Sequence, residues 1–339
     1  MKSTLKTLPL TLLCVSLVCG AAFAQLHPSP SGPVHSRFGL PISRPGAQPT
    51  GLTNREVPQT ASPDLSFTFG ILTFPGSVAS LASGANKAGH IVGGYGPDFA
   101  LQYPTDHGFL LKGTKFTEID YPGAAYTQPD AINDAGVIVG FYGASFYDEH
   151  GFKLVGKTYT SIDYPGSTWT SATGINKHGD IVGGWGTSGV AHSYLLSKGV
   201  FTSIDVPGAV YTAAFGINSA GEIVGWYGDS SGDSHGFVLN SGSFTTIDYP
   251  GGYSQNYLAD INDSGVIIGG YGEWTTINGV DYEWEHCFVY ESGQFTTFDA
   301  PFGPPAATQD WHINNKGVIT GFYADNSSTV YGFEATVGP

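Results

Sequence analysis

The chain has 339 residues and is acidic, with 28 Asp and Glu against 13 Lys and Arg and a formal net charge of −15. This charge argues against a nucleic acid or an anionic membrane as the main partner, since both repel acidic proteins. Only 12% of the residues are charged, whereas 49 are Gly and 14% are aromatic, which is typical of many short strands joined by tight turns.

The first 24 residues have the pattern of an export signal. Lys2 and Lys6 precede the apolar run LPLTLLCVSLVCG, and AAFA stands directly before Gln25. A positive start, a short apolar core and small residues at the cleavage position are typical of a secretory signal peptide. The run is shorter than the roughly 20 residues that a membrane-spanning helix needs. We therefore predict cleavage after residue 24, a periplasmic or extracellular protein, and no membrane insertion of the mature chain.

Residues 25–62 are rich in Pro, Ser and Gly and show no apolar periodicity, which predicts a flexible linker. Residues 63–339 then form the predicted folded domain. Cys287 is the one cysteine that signal cleavage would leave. No disulfide can form within such a chain, so we interpret Cys287 as a small buried apolar residue.

A repeated unit begins in the first part of this domain. Asn is followed by Gly three residues later at six places, with a mean spacing of about 46 residues, and each copy leads into a short apolar strand ending in an aromatic residue. The repeated Asn residues are Asn86, Asn133, Asn176, Asn218, Asn262 and Asn314. Four short strands, named a to d, in a period of 40–50 residues predict one blade of a β-propeller.

Strands c and d of five copies carry a His and an Asp thirteen residues apart. The pairs are His107/Asp120, His150/Asp163, His192/Asp205, His235/Asp248 and His286/Asp299. A two-residue loop halfway between them, such as Gly156-Lys157, suits a tight hairpin and would place His and Asp opposite each other. We interpret these pairs as structural cross-strand contacts rather than as general bases, because no repeated nucleophile accompanies them.

The sixth copy lacks both members of the pair and also lacks a strand d. Its His position is Tyr331, after which the chain has room for no further strand. The segment FGILTFPG, residues 69–76, resembles a strand d that precedes the first Asn turn, with Thr73 at the Asp position. We therefore predict an all-β, six-bladed propeller with four strands per blade, closed by the N-terminal strand completing the last blade. A solenoid with a single sheet is the alternative.

The unit IN-x-x-G-x-[IV]-x-G, followed by HGF-x-L and FT-x-ID-[YV]-PG, resembles the HAF-type extracellular repeats of secreted bacterial proteins. The resemblance covers residues 69–334, although these copies read HGF, HSY, HCF and YGF instead of His-Ala-Phe. It implies export and repetition, and no activity comes with it. Internal His–Asp ties are also similar to those of WD-type propellers, which is an analogy of architecture alone.

Loop lengths differ between the two faces of the predicted propeller. The distance from each Asn to the following His, or to Tyr331, varies from 16 to 24 residues, whereas the other turns hardly vary. Variable loops on one face often mark a binding face, here that of the b–c and d–a loops. Aromatic rings with interspersed carboxylates suit sugars. The predicted ligand-binding residues are Tyr126, Trp169, Tyr211 and Tyr253 in the d–a loops, Trp274, Tyr282 and Trp284 in an extra hairpin of blade five around Asn278-Gly279, and Trp311. The alternative is that these rings pack between loops and blades.

Two copies differ from the others near the axis. Two residues before the repeated Asn, the first four copies have Gly84, Ala131, Gly174 and Gly216. Copies five and six have Asp260 and His312 there, with Asp310 and Trp311 beside His312. This asymmetry predicts a polar pocket at blades five and six. An Asp–His tie that closes the ring is the alternative.

These patterns favour a secreted binding propeller without catalysis, expected to be monomeric, whose ligand is a glycan or another cell-surface macromolecule. One alternative is a polysaccharide-active hydrolase or lyase that uses Asp260, Asp310 and His312. Another is a purely structural or adhesive repeat module. No cofactor or metal is predicted, since DSSGDSH at 229–235 and ADNSS at 324–328 lack the ligand spacing of an EF-hand loop.

Overall fold

The computed structural model describes residues 66–77, 79–96, 107–145, 148–187, 190–277, 280–299, 308–324 and 330–338. The predicted signal peptide and linker lie outside the described residues. All regular structure in the described part is β-strand. Among these residues, no helix has the length and apolar character to cross a membrane.

The described chain begins with one strand, β1 (Ser66–Leu72), that precedes the repeats. Two four-stranded antiparallel sheets follow, each built from consecutive strands. The first contains β2 (Ala79–Ala85), β3 (His90–Gly96), β4 (His107–Lys112) and β5 (Lys115–Ile119). The second contains β6 (Tyr126–Ile132), β7 (Ile138–Ser145), β8 (Asp148–Val155) and β9 (Thr158–Ile162).

The third sheet has the same plan with an interrupted first strand. Two short strands, β10 (Trp169–Thr170) and β11 (Gly174–Ile175), both pair with β12 (Ile181–Thr187). The sheet continues through β13 (Val190–Ser197) and β14 (Val200–Ile204).

The next eight strands form two further four-stranded groups. The first group is β15 (Tyr211–Ile217), β16 (Ile223–Gly228), β17 (Ser234–Asn240) and β18 (Ser243–Thr246). The second is β19 (Gln255–Ile261), β20 (Ile267–Ile277), β21 (Val280–Glu291) and β22 (Gln294–Phe298). A single parallel bridge between Ser234 and Gln255 joins the groups, so they count as one eight-stranded sheet.

The last sheet unites the two ends of the described chain. It contains β23 (Thr308–Ile313), β24 (Val318–Ala324) and β25 (Val330–Gly338), and β1 pairs antiparallel with β25. In this register Phe69 lies opposite Ala335 and Ile71 opposite Phe333. The front strand therefore supplies the outer edge that the last repeat lacks.

The whole arrangement is that of a β-propeller. We number the four-stranded repeat units in chain order and call their strands a to d from first to last. Unit 1 is β2–β5, unit 2 is β6–β9, unit 3 is β10–β14, unit 4 is β15–β18, unit 5 is β19–β22, and unit 6 is β23–β25 with β1 as its strand d.

Each repeated Asn makes two kinds of hydrogen bond. Its Oδ1 accepts from the backbone N–H groups two and four residues later, as Asn86 does from Ala88 and His90 at 3.0 Å each. Its Nδ2 donates to the backbone carbonyl of the Asn in the next unit, at 3.0–3.4 Å. Because Asn314 donates to the carbonyl of Asn86, the bonds form a closed cycle. We call it the Asn cycle. The sequence predicted the turns but not these bonds.

Aromatic stacking joins neighbouring units on their outer side. The ring that follows strand d of one unit lies flat against the ring that ends strand b of the next unit, with centroids 3.5–4.0 Å apart. These stacks are Phe74/Tyr95, Tyr121/Tyr142, Tyr164/Trp185 and Tyr249/Tyr271. Burial of such paired rings contributes both apolar area and specific ring geometry to the inter-unit contact.

Tight turns connect strands c and d as predicted. Lys112 lies opposite Lys115 and Asn240 opposite Ser243, which leaves loops of two residues. The first loop residue has a positive φ in each case, 60° at Gly113 and 50° at Ser241. This backbone conformation belongs to the hairpin turns that match the twist of paired strands.

Candidate functional site

A β-bulge interrupts strand a of the units. The pairing with strand b skips one residue, three positions before the repeated Asn, in units 1, 2, 4, 5 and 6, and strand a of unit 3 is broken at the same place. The residues at this position are Ser83, Asp130, Thr173, Phe215, Ala259 and Trp311. A bulge re-aims the side chain of the extra residue. Of these six residues the sequence pointed only to Trp311, because a bulge does not interrupt the repeat spacing.

The bulge residues line a cavity on the propeller axis, which we call the axial cavity. Strand a residues of all units line it, and part of it is open to solvent. Its mouth lies at the repeated Asn turns. Next inside is an aliphatic layer from the position directly before each Asn, made of Ala85, Ile132, Ile175, Ile217, Ile261 and Ile313. The bulge layer lies beneath it, two residues earlier along each strand a.

The bulge layer has a polar side and an apolar side. Units 1 to 3 contribute Ser83, Asp130 and Thr173, and units 4 to 6 contribute Phe215, Ala259 and Trp311. The Asn cycle orders the units around the axis, so the two groups of three face each other across the cavity. A ligand with hydroxyl groups on one edge and an apolar face on the other matches this arrangement.

The cavity extends deeper at units 4 to 6 than at the other units. The side chains that line this deep end are Trp226, Ser234, Tyr257, Gln309 and Asp310. The indole Nε1 atoms of Trp226 and Trp311 and the Oε1 atom of Gln309 are buried and have no hydrogen-bond partner within the described residues. Polar groups left unpaired in this way are costly, and a bound ligand would satisfy them.

Asp310 is the most deeply buried carboxyl group of the cavity, with no exposed surface. Its Oδ1 accepts a 3.4 Å hydrogen bond from the Tyr257 hydroxyl, and its Oδ2 has no hydrogen-bond partner within the described residues. Burial raises the pKa of Asp310 well above its ordinary value, because the charged form loses its hydration. Burial therefore favours the protonated, neutral form of this carboxyl group.

Asp260 and His312 connect units 5, 6 and 1. The Asp260 Oδ2 atom accepts a 2.9 Å hydrogen bond from the backbone of Ile313 and lies 3.5 Å from His312 Nε2. The Nδ1 atom of His312 lies 3.5 Å from the backbone N–H of Ala85 and accepts from it. Burial raises the pKa of Asp260, although the charge of His312 and the backbone hydrogen bonds oppose the shift. The predicted tie between these two residues is present, and both also line the cavity.

The other units have Gly or Ala two residues before the repeated Asn, where units 5 and 6 have Asp260 and His312. A Cβ atom added to Gly174 would lie 2.3 Å from the carbonyl oxygen of Phe215, and one added to Gly216 would lie 2.3 Å from Asp260 Oδ1. Such distances are far below van der Waals contact, so the backbone of the next unit excludes a side chain here. Of the six units, only units 5 and 6 carry polar side chains at this position.

The predicted ligand-binding aromatics of the d–a loops pack inside the molecule. Tyr126 is 3% exposed and meets Phe141 edge to face. Trp169 is buried in a cluster with Ala191 and Tyr211. These rings occupy the packing positions that the sequence left open as the alternative, and a ligand could not stack on their faces without displacing a neighbour.

Two further d–a aromatics pack against rings of the same propeller. Tyr211 meets Trp226 edge to face with centroids 4.9 Å apart. The ring centroid of Tyr253 lies 4.6 Å from that of Tyr271, and Tyr253 packs against the hydrophobic cluster that contains Tyr271. Burial raises the pKa of both tyrosines. Unlike Tyr126 and Trp169, both rings are only partly buried.

The predicted extra hairpin of unit 5 is a continuation of strands b and c. Strands β20 and β21 pair without interruption from Ile267 opposite Tyr290 to Ile277 opposite Val280. The side chains of Trp274, Tyr282 and Trp284, and the loop residues Asn278 and Gly279, lie outside the described residues. Trp311 is the one predicted ligand-binding residue that the described structure places in the axial cavity.

The predicted His–Asp partners lie within hydrogen-bond distance on the outer part of the propeller. The Nδ1 atoms of the five His residues lie 2.6–3.0 Å from the Asp carboxylates. Each His ring also lies beside the aromatic ring that ends strand b, as His192 does beside Trp185 at 4.6 Å. The pairs are contacts within one hairpin, and none of their residues lines the axial cavity.

The Asp residues of these pairs differ from the prediction in their position relative to strand d. The sequence placed Asp163 and Asp205 on strand d, but β9 and β14 each end one residue earlier, so both lie just beyond the paired strands. Both are exposed, and their Oδ1 atoms lie 2.6 Å from the Nδ1 atoms of His150 and His192. The serine two residues earlier donates to the other carboxylate oxygen at 2.7 Å in each case. Asp163 and Asp205 are therefore exposed ties at the end of a hairpin, and neither lines the axial cavity.

Three of these His residues contact a second carboxylate. Asp148, Asp229 and Glu273 lie 3.2–3.6 Å from the Nε2 atoms of His150, His235 and His286 respectively. In His150 and His235, burial alone would lower the pKa, but the paired carboxylates outweigh it and raise the pKa. In His286 the hydrogen bond to Asp299 is the largest cause of a raised pKa.

Unit 5 also contains Glu285, one of the carboxylates interspersed among the aromatic residues predicted to bind a ligand. Glu285 accepts a hydrogen bond from Gln309 Nε2, and burial raises its pKa to about 7. The adjacent Cys287 is fully buried and its Sγ donates to the carbonyl of Thr308 at 3.3 Å. Burial raises the thiol pKa well above its ordinary value, which makes Cys287 a packing residue and a poor nucleophile.

No protein-family model and no curated protein matches the chain. Among solved structures, a protein of unknown function from Dyadobacter fermentans is 11% identical with a TM-score of 0.52, covering 82% of this chain and 100% of that chain. The Aleuria aurantia lectin, in complex with Fucα1-6GlcNAc, is 10% identical with a TM-score of 0.48, covering 77% and 95%. The β-propeller domain of the Trilobed protease from Pyrococcus furiosus is 9% identical with a TM-score of 0.44, covering 75% and 78%. Identities this low concern the fold alone.

Proposed function

We propose that the protein is an exported, non-catalytic binding propeller that holds a glycan in its axial cavity. The proposal includes a ring of six blades closed by the N-terminal strand, membership of the HAF-type repeat proteins, and removal of residues 1–24. The single observation that carries the binding role is the bulge layer, where polar and aromatic side chains face each other on the axis.

Two independent contacts support the closed six-bladed ring. The pairing of β1 with β25 joins the ends of the described chain. The Asn cycle passes once through each unit and returns from Asn314 to Asn86. A ring of this kind leaves no unpaired sheet edge between its first and last blades, which is how propellers avoid edge-to-edge association.

The chemistry of the cavity supports a sugar as ligand. A pyranose presents CH groups on its faces and hydroxyl groups on its edges. The Trp311 ring can stack on such a face, while Asp130 and Gln309 can exchange hydrogen bonds with hydroxyl groups. The buried indole Nε1 of Trp226 is a further donor that lines the cavity. Apolar walls with a few convergent polar groups are typical of small-ligand sites.

Glycan-array binding with residues 25–339 tests the proposal. We expect saturable binding that Trp311→Ala weakens at least about tenfold through loss of the stacking ring. The matched control is Trp274→Ala, since Trp274 belongs to the loop face where the sequence placed the site. A loss confined to Trp274→Ala would move the site to that face, and no saturable signal on any glycan would refute the binding role.

N-terminal sequencing tests the proposed export and signal-peptide cleavage. We expect N-terminal sequencing of the protein recovered outside the cytoplasm to begin at Gln25, because AAFA precedes it. Cytoplasmic protein that retains Met1 would contradict export.

A polysaccharide-active enzyme is a second candidate, because Asp260 and Asp310 line the same cavity and both have raised pKa values from burial. A protonated carboxyl group is the form that can act as a general acid. This candidate predicts new reducing or unsaturated ends from polysaccharide substrates, abolished by Asp310→Asn. Glycan binding without such products would support the binding role instead.

A further inference from the structure

The charged side chains of the axial cavity are mostly acidic. The carboxylates that line it are Asp130, Asp134, Asp260, Asp263 and Asp310, against Lys177 and His312. Lys177 lies at the mouth, and its Nζ is 3.9 Å from Asp263 Oδ2. Its positive charge therefore faces a carboxylate at the mouth. Below the mouth, no Lys or Arg of the described residues lines the cavity.

The buried interior thus holds carboxyl groups in excess of cationic groups. His312 lies beside Asp260, and Asp130 in the bulge layer and Asp310 at the deep end are the further carboxyl groups of the interior. Asp310 has no exposed surface, and its Oδ2 atom has no hydrogen-bond partner within the described residues. Burying carboxyl groups costs free energy unless a positive charge or hydrogen-bond donors compensate it.

Aromatic rings lie opposite Asp130 in the same layer. Phe215 and Trp311 form the apolar side of the bulge layer, and both are only half-buried, so they present surface to the cavity. The face of an aromatic ring attracts a cation through its quadrupole, and aromatic rings combined with a carboxylate are a recurrent arrangement for binding organic ammonium groups.

We propose that the ligand of the axial cavity carries a positively charged amino group, so that the glycan recognised is an amino sugar with a free amine. This inference rests on the proposed function, because it names the chemistry of the ligand in that same cavity. The ammonium group lies between Asp130 and the ring of Trp311, and the sugar hydroxyl groups extend toward Asp310 and Gln309 at the deep end.

Titration of the carboxyl groups adds a consequence for the pH dependence of binding. Tyr257, Cys287, Asp260 and Glu285 are the titratable groups that act on Asp310 or on its direct neighbours. An ammonium group stabilises ionised carboxylates, so binding releases protons from the carboxyl groups whose pKa values burial has raised. The affinity for the amine therefore increases with pH as long as the amine itself stays protonated.

The test compares glucosamine with glucose by isothermal titration calorimetry on residues 25–339. The two sugars differ only in an ammonium group instead of a hydroxyl group at one carbon. We expect glucosamine to bind at least about tenfold more tightly, and Asp130→Asn to reduce this ratio to about one. Glu291→Gln is the matched control, because it removes the same charge from an exposed hairpin residue and should keep the ratio.

The outcomes separate the two proposals. Equal affinity for glucosamine and glucose would overturn the amine inference and leave glycan binding intact. No binding of glucosamine would also overturn it, and the glycan array would then decide the proposed function by itself. The wild-type ratio needs no variant, so it stays decisive even if Asp130→Asn fails to fold.

Discussion

The molecule contains two kinds of His–Asp contact, and they differ in almost every respect. The outer pairs, such as His107 with Asp120, recur in five units, lie within one hairpin and are substantially exposed. The axial contact between Asp260 and His312 occurs once, joins neighbouring units and is largely buried. Repetition of the outer pairs serves a requirement that units 1 to 5 share, namely the joining of strands c and d in one hairpin.

The contrast shows where to look for function in a repeat protein. A polar group that every unit carries belongs to the construction of the unit. A polar group that appears at a position where other units have Gly or Ala needs a local reason, as Asp260 and His312 do. Here the reason is partly structural, since both residues connect units, and partly functional in our proposal, since both line the axial cavity.

The largest expected effect comes from breaking the axial contact. Asp260→Ala leaves the backbone N–H of Ile313 and the ring of His312 without their partner in a buried place. We expect the free energy of unfolding in urea to fall by roughly 2–3 kcal/mol. Asp260→Asn is the control, because its amide oxygen still accepts from Ile313, and it should cost less than about 1 kcal/mol. Equal stability of Asp260→Ala and the native chain would show that the contact is not needed.

Breaking an outer pair should have a smaller effect. We expect His235→Ala to lower the free energy of unfolding by about 1 kcal/mol, because its ring contacts both Asp248 and Asp229. His107→Ala is the matched variant with a single carboxylate partner, and it should cost about half as much. Neither variant should change ligand binding. Lost binding at unchanged thermal stability would reverse the structural interpretation of the outer pairs.

The outer His residues and Glu285 make the stability depend on pH, in adjacent windows. His150, His235 and His286 have raised pKa values, so their stabilisation is complete below the unfolded pKa of about 6.5 and is lost as pH rises through the folded values. Glu285 has its pKa raised to about 7. Because the folded state then binds the proton more tightly, stability falls as pH rises from about 4 to 7.

Thermal unfolding between pH 4 and pH 8 separates these contributions. We expect Glu285→Gln to reduce the fall of the melting temperature with rising pH below pH 7. We expect His286→Ala to reduce the fall of the melting temperature above about pH 6.5. His107→Ala serves as a comparison with a single carboxylate partner. A melting temperature that rises steadily with pH across this range would contradict both assignments.

The smallest expected effect lies at the mouth of the cavity. Lys177 and Asp263 are 3.9 Å apart and about half and one third exposed, so water and salt screen their attraction. We expect Lys177→Ala to change the free energy of unfolding by less than about 0.5 kcal/mol in urea titrations. A larger loss would mean that this pair has a role in closing the ring.

Much of the fold could be predicted because its determinants are local. Gly and Asn mark the turns, the thirteen-residue interval brings His235 opposite Asp248, and the missing last strand has its counterpart at residues 69–76. The candidate site was predicted only in part. Asp260, Asp310, His312 and Trp311 do line one cavity, but the site lies on the axis, and the rings of Tyr126 and Trp169 are buried.

The amino-acid sequence alone determined the length of the repeat, the residues of each turn and the partners within each hairpin, because strand alternation and turn geometry act over a few residues. The tertiary structure decided three things that no local rule contains: the cycle of Asn side chains, the bulge that turns Asp130 and Trp311 toward the axis, and the neighbours that cover Tyr126. The Asn cycle depends on contacts between residues 42 or more apart in the chain, whereas the bulge and the cover of Tyr126 depend on how strands pair and pack within and between units.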